Sequence, residues 1–410
     1  MEKKVICYIQ AFDCEHTIEA AMQSVLDQTY GNWLCFVLSN GNGGNGTFDV
    51  IKNFSLRDSR FIVLNKARND VSIYIPMLYY LASRFPNSYI CSLDADDVYQ
   101  KNFFERAVTL AEEKQLDIVA CGTEIVLKKN VEAEEEILLS RRALDEDLIV
   151  RKKDFTRQFC VYKPFFNEMW GKMYHSRLFD ARHNEAYARK RFFFHFLPDT
   201  LFTIDNLSRS HAIGILSGTA HKFYQFEQRP TSNATFMSNA YVANQQPKRY
   251  ANWKTRQKQT FSVYATYQTI MAFLNAHGEI DRELYEYMQA VLFGWFGDFY
   301  ARTLLLTTDE AKFVGHVEHL VFHPKFSKLM SYQDTGKYDN LRDFVKRKEF
   351  CERLKYQLIG QEAIKNRLLQ GEDTYCDAKT KQKIAEIIKK LDDVTDMISH
   401  KQQARGANKC

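Results

Sequence analysis

The chain has 410 residues, 45% hydrophobic and 26% charged, enough to bury a large core and form more than one domain. Its formal charge of +5 is mild for that length, which argues against nucleic acid as a partner and leaves peripheral association with an anionic membrane surface open. Nine cysteines, an odd number without a Cys-x-x-Cys pair, speak against a zinc ribbon or a disulfide scaffold and for reduced thiols.

No apolar run approaches the roughly 18 residues of a membrane span. Met1-Glu2-Lys3-Lys4 leads straight into a short strand rather than a signal-peptide core. The expected location is therefore cytoplasmic, with the inner face of the membrane as an alternative.

Strands and helices alternate over the first 125 residues. Val5 to Ile9 reads as a strand, and Thr17 to Leu26 as a helix with Ile18, Ala21, Met22, Val25 and Leu26 on one face. Leu34 to Leu38 is a second strand. It ends in the glycine-rich turn Ser39 to Thr47, which lacks the lysine of a P-loop and the spacing of a dinucleotide fingerprint but can bring backbone amides close to a phosphate or base. Phe61 to Leu64, Tyr89 to Leu93 and Asp117 to Cys121 are further strands, with helices over Pro76 to Phe85 and Asn102 to Lys114. This alternation predicts an α/β fold with a mostly parallel sheet covered on both faces.

The mixed charges from Glu132 to Lys153 read as a solvated helix face or a flexible connection. Lys190 to Phe196 is aromatic and basic, a core strand or an acceptor-side loop. From about residue 250 the pattern turns helical, with amphipathic stretches over Thr260 to Ala276 and Arg282 to Leu306. His316, His319 and His323 share helical spacing, and Ile384, Ile387, Leu391, Val394 and Ile398 keep a three-four repeat that could dock on the catalytic domain or on a second copy of the chain, making a homo-oligomer. The expected organisation is a sheet domain over 1–240, in two halves at 1–125 and 155–240. An all-α domain over 250–400 and a disordered tail at 401–410 complete it.

The chemistry concentrates at Asp94-Ala95-Asp96-Asp97, directly after the apolar strand Tyr89 to Leu93. Carboxylates crowded at a strand's carboxyl end repel one another unless a cation is present, and that edge of an open α/β sheet is where ligands bind. The same letters also suit a solvated turn. Pro198-Asp199-Thr200 before an apolar run is a good helix start, and Asp199 is there either a helix-terminal acid or a reactive carboxylate.

In order along the chain, Tyr8 to Asp13, Ser24 to Tyr30, Leu38 to Gly41 and Leu93 to Asp97 resemble the landmarks of family 2 glycosyltransferases with the GT-A fold. Trp170-Gly171-Lys172-Met173-Tyr174, Pro198 to Phe202, and Tyr224 to Phe226 with Arg229 and Ser232 are similar to three later segments of that family. The resemblance implies an inverting, metal-assisted transfer of a sugar from a nucleotide diphosphate, most simply a UDP-sugar, to a hydroxyl of a glycan, lipid-linked or protein acceptor. It implies Mn2+ or Mg2+ held by Asp96 and Asp94, with His221 as a further ligand or else a packed ring.

It also implies a nucleotide site of Ala11, Asp13, Glu15, Asn40, Asp94 and Ala95, and Asp199 as general base. Asp97, Trp170, Lys172 and Arg229 take supporting or acceptor-side places. Three positions depart from the pattern, one of them Val71, which stands where the family commonly has glycine and is followed by a longer helix. The family usually has Asn where this chain has Asp13 and Asp where it has Asn40, which adds a donor, removes a charge and puts the base preference in question. A relative that binds nucleotide without catalysis, acting as a scaffold, is the alternative reading.

Overall fold

The computed structural model describes residues 2–41, 46–70, 73–128, 130, 136–179, 198–226, 266–267, 269–285, 287–288, 291 and 389. Two compact units are distinguished. The first joins Met1–Asn239 with Ala265–Leu284, and the second joins Ala240–Tyr264 with Tyr285–Cys410.

In the first unit, strands β1 (Val5–Ala11), β2 (Trp33–Asn40), β3 (Phe61–Lys66) and β4 (Tyr89–Asp94) alternate with helices α1 (Ile18–Leu26), α2 (Thr47–Ser55) and α3 (Tyr74–Arg84). They lie side by side in the order β3-β2-β1-β4, every pair parallel. The chain then forms β5 (Val98–Tyr99), α4 (Phe103–Lys114), β6 (Ile118–Lys128), β7 (Glu136–Arg142), β8 (Leu148–Arg151), the helical turn α5 (Phe159–Tyr162), β9 (Lys172–His175), α6 (Pro198–Arg209) and β10 (Ala212–Phe226). β9 runs antiparallel to both β4 and β6 and so joins the two halves of a ten-stranded mixed sheet. β10 pairs parallel with β6 and antiparallel with β5 and β8.

The apolar runs become strands because both faces of the parallel half are covered, and Val5, Ile9, Val37 and Leu93 are all excluded from solvent. Pro76 sits inside the first turn of α3, where its missing N–H costs no helical bond. Cys7 on β1 is in register with Cys35 on β2 and with Cys91 on β4, so three buried thiols form one row across the sheet.

Two expectations change. The charged segment after Glu132 is neither helix nor loose connection over its described part: β7 is antiparallel to β6, and β8 is antiparallel to β10. In addition, helix α2 starts at the end of the glycine-rich turn, burying Thr47, Ile51 and Phe54 at helical spacing. The mostly parallel pattern belongs to the first half, while the second is largely antiparallel.

β10 changes register against β6 between Ile215 and Thr219 and again between Thr219 and His221. Gly218 takes the left-handed conformation there, with φ +64°. Opposite it, Gly122 leaves no room for a side chain, since a methyl group would overlap the carbonyls of Gly218 and Arg142. This bulge brings β10 to Asp97.

Of the stretch expected to be helical from Thr260 to Ala276, residues 266–267 and 269–277 are described, and they are helical. They belong to the first unit, with Thr156 Oγ1 donating to the Leu274 carbonyl at 2.9 Å and Phe273 and His277 ringing Phe155. In the second unit the described residues 285, 287–288, 291 and 389 are helical. Lys190 to Phe196, Arg229, the three spaced histidines and the tail lie outside the described residues. Among the described residues no helix is long and apolar enough to cross a membrane.

Candidate active site

The parallel register sets the carboxyl ends of β1, β2 and β4 along one edge, where Gln10 pairs with Asp94 and Ala11 with Ser39. Ala11, Asn40 and Asp94 therefore end neighbouring strands. Asp13, two residues past the end of β1, has φ 57°, a left-handed conformation in which aspartate is among the better tolerated residues. Glu15 accepts from Thr47 Oγ1 at 3.3 Å, and the Cys14 amide donates to the same hydroxyl at 3.1 Å, so the start of α2 is tied to the loop after β1.

Four acids converge at this edge. Burial pushes the Cys14 thiol up to about 12, assisted by the negative charges of Asp96, Glu15 and Asp13. The Tyr74 phenol on α3 is likewise held well above its usual range by burial, then by Asp94 and more weakly by Asp199. Its hydroxyl reaches Asp94 Oδ1 at 3.4 Å. Tyr74 thus touches the acidic turn after β4 and also feels the charge of Asp199 at the start of α6, more than a hundred residues later.

Asn40 is fully buried, and its carboxamide is engaged on both sides. Nδ2 donates to Asn69 Oδ1 at 2.9 Å, and Oδ1 accepts from the Asp70 amide at 3.1 Å. Gly41 permits this approach, since a Cβ there would stand 2.9 Å from the Asn69 nitrogen. The position where the family usually has an acid is used here to hold the 69–70 loop.

Asp97 is also enclosed. Its amide donates to the Asp94 carbonyl at 3.1 Å, closing the acidic turn, and its Oδ1 accepts from the Tyr224 amide at 3.0 Å. His221 is fully buried, with Nε2 3.2 Å from Asp97 Oδ2, one face against Trp170 at 4.5 Å between centroids and Tyr99 beside it. Burial, with Lys172 and Arg142 nearby, lowers its pKa to about 3, so the ring is neutral. As placed, its carboxylate neighbour is Asp97.

On the far side, segment 166–172 frames Asp199. Thr200 Oγ1 donates to the Asn167 carbonyl at 2.8 Å, and Thr203 Oγ1 donates to the Phe166 carbonyl at 2.6 Å. Lys172, almost fully buried, spends its ammonium on the carbonyls of Glu168 at 2.6 Å and Trp170 at 3.0 Å. Burial brings it down to about 8. Asp199 is raised to about 6 by burial and then by Glu168, against the opposing pull of Lys172 and the Met169 amide. A carboxylate near 6 is a competent base at neutral pH.

Residues 6–180 match the family described as Glycosyl transferase family 2. The matched segment is 175 of the 410 residues, less than half of the chain. Over 123 residues the chain is 30% identical to the UDP-Glc:alpha-D-GlcNAc-diphosphoundecaprenol beta-1,3-glucosyltransferase of Escherichia coli, a match covering 30% of this chain and 46% of that protein. It is 29% identical over 114 residues to an uncharacterized glycosyltransferase of Bacillus subtilis, covering 28% and 32% respectively. The match thus spans less than half of either relative. Among solved structures, residues 1–349 of S. aureus TarS in complex with UDP are similar at 13% identity and a TM-score of 0.49, covering 88% of this chain and 92% of that one. The matched segment lies in the mixed α/β sheet and its flanking helices.

Asp94, Ala95, Asp96, Asp97, Ala11, Asp13, Glu15 and Asn40 gather at the strand ends, and Asp199 shares Tyr74 with Asp94. Lys172 and the Met169 amide act on Asp199, while Trp170 lies against His221. Tyr74 and Glu168 were missed by the sequence reading. Tyr74 had a signal, as the first residue of a helix leading away from the same strand edge. Glu168 had none beyond its place two residues before Trp170.

Proposed function

We propose that the chain is an inverting glycosyltransferase that moves a sugar from a nucleotide diphosphate, a UDP-sugar in the first instance, onto the hydroxyl of a glycan, lipid-linked or protein acceptor. The observation that carries the reading is the gathering of Asp94, Asp96, Asp13 and Glu15 at the strand ends, with Tyr74 3.4 Å from Asp94 Oδ1 and its phenol raised by the charges of both Asp94 and Asp199. Transfer with inversion needs a donor diphosphate and an acceptor base on opposite sides of one sugar carbon.

Asp96 and Asp94 fit Mn2+ or Mg2+. Both offer hard oxygen ligands, and such a cation is characteristically bound by one or two carboxylates together with substrate phosphates. Among the described residues no group of three or more acids, histidines or cysteines is arranged as a complete cage, so the protein would supply only part of the shell. When bound, the cation would neutralise charge building on the departing diphosphate. His221 is the weaker candidate ligand because its ring is enclosed beside Asp97.

Asp199 would take the acceptor proton, while Asp97 keeps the acidic turn closed and Trp170 and Lys172 shape the acceptor side. The E. coli relative's name includes UDP-Glc as donor, which supports a uridine nucleotide. The committed Asn40 side chain shifts base recognition toward the loops it anchors. Arg229 would keep its supporting or acceptor-side place. The first unit, Met1–Asn239 with Ala265–Leu284, would carry the reaction, and the second unit would serve docking on a second copy or at the inner face of the membrane.

Thermal stabilisation by UDP-, GDP-, CDP- and dTDP-sugars, with and without Mn2+, tests this directly, since a ligand that binds the native state raises Tm. A Mn2+-dependent shift confined to one nucleotide family is expected. No shift across the panel at millimolar concentrations would sink the enzyme reading in favour of the scaffold.

A further inference from the structure

We propose that Glu168, gripped by Arg142, is a positioning residue that holds segment 166–170 under the first turn of α6 and sets the basicity of Asp199. This rests on Asp199 being the acceptor base.

Geometry supplies the first support. Arg142, the last residue of β7, reaches across to Glu168 with two hydrogen bonds, Nη1 to Oε2 at 2.8 Å and Nη2 to Oε1 at 3.4 Å. A forked guanidinium–carboxylate pair fixes direction as well as distance. The Glu168 carbonyl is held independently by the Lys172 ammonium at 2.6 Å. Both the side chain and the backbone of residue 168 are therefore fixed. On either side, the Phe166 and Asn167 carbonyls accept from Thr203 and Thr200 of α6, and the Met169 amide bonds the Asp199 carboxylate. Every peptide from 166 to 169 is thus tied either to α6 or to the charged pair.

The second support is electrostatic. Glu168 is the neighbouring anion that raises Asp199, with Lys172 opposing it. Tyr74 and Tyr174 also face Asp199, and both phenols stay protonated. Lys163, buried and brought down to about 7, hydrogen-bonds Asn167 and completes the charged set with Arg142 and Glu168. An anion close to a base makes it hold a proton more tightly, while a cation that screens this anion does the reverse. Glu168 without Arg142 would push Asp199 up, and Arg142 limits the effect. The β6–β7 hairpin, which lies outside the strand-end edge, in this way contributes to the basicity of the reacting group.

The test is a pH titration of the full chain labelled with 13C at the aspartate carboxyls, the Asp199 signal being the one absent from Asp199→Asn. Glu168→Gln is expected to lower the Asp199 midpoint by about one pH unit, and Arg142→Gln to raise it by a smaller amount. Glu168→Asp, which keeps the charge, should return the midpoint toward that of the parent chain. A structural role alone would shift stability and leave the midpoint in place.

An unchanged midpoint in both Gln variants overturns the proposal. If Glu168→Gln does not fold, Arg142→Gln and Glu168→Asp decide it by the same readout. Failure of the base assignment would show separately: Asp199→Asn would keep its turnover, whatever the titration of its neighbours.

Discussion

The two halves of the sheet are held together by different forces. β1 to β4 are parallel and lined by aliphatic side chains and thiols, with their polar groups gathered at one edge. The half built on β6, β9 and β10 is largely antiparallel and buries Asp97, Asp117, Lys163, Lys172 and His221. Asp117 shows how such a charge is kept inside, accepting from the amides of His211 and Ala212 and from Arg177. Apolar packing is indifferent to pH, whereas buried ionisable groups make stability depend on it. The first half is thus a fixed platform, and the second carries the buried groups whose protonation bears on stability.

The sharpest way to break this contrast is at the bulge. Gly122→Ala should cost about 4 kcal/mol, because two backbones rather than a movable side chain oppose the new methyl. Urea unfolding would measure it, and a loss below 1 kcal/mol would show that β10 can slide. Ile9→Ala, in the platform, should cost about 3 kcal/mol and equally at pH 5 and pH 8, since only apolar contacts are lost. A marked pH dependence there would contradict the division.

Asp97→Ala should cost about 2 kcal/mol by leaving the Tyr224 amide without its acceptor. Its Tm should fall even where donor binding is not assayed. Asp199→Asn should act in the opposite direction at neutral pH. The folded carboxyl, near 6, holds its proton more tightly than the ordinary value of 3.8, so it contributes stability below pH 4 that is lost as pH rises through 6. The amide variant should therefore be more stable than the parent at pH 7.5, by on the order of 1–2 kcal/mol, and lose that advantage by pH 4. Parallel melting curves at the two pH values check the sign. The same variant should bind donor and lose transfer by about 10²-fold or more.

The contrast also governs what could be read in advance. Val5 to Ile9, Leu34 to Leu38 and Tyr89 to Leu93 announced themselves because strands covered on both faces are apolar throughout. β7 did not, since a charged antiparallel strand resembles a solvated connection until its partners are known, and Arg142 finds Glu168 only in three dimensions. Helix α2 was hidden by the glycines before it, although the spacing of Ile51 and Phe54 offered a signal. The acidic turn was visible as a motif. Its link to Asp199 through Tyr74 was not, because no local pattern connects residues 74, 94 and 199.

The row of Cys7, Cys35 and Cys91 gives the platform a built-in clock. All three sulfurs are sealed inside the central strands, so a thiol reagent can reach them only when those strands part. At low reagent, the rate at which they are modified reports the fraction of time the sheet is open, and a ligand that binds only the closed sheet should slow it as the unliganded fraction falls. Mass spectrometry could thus follow ligand binding at the strand ends through atoms that never touch the ligand.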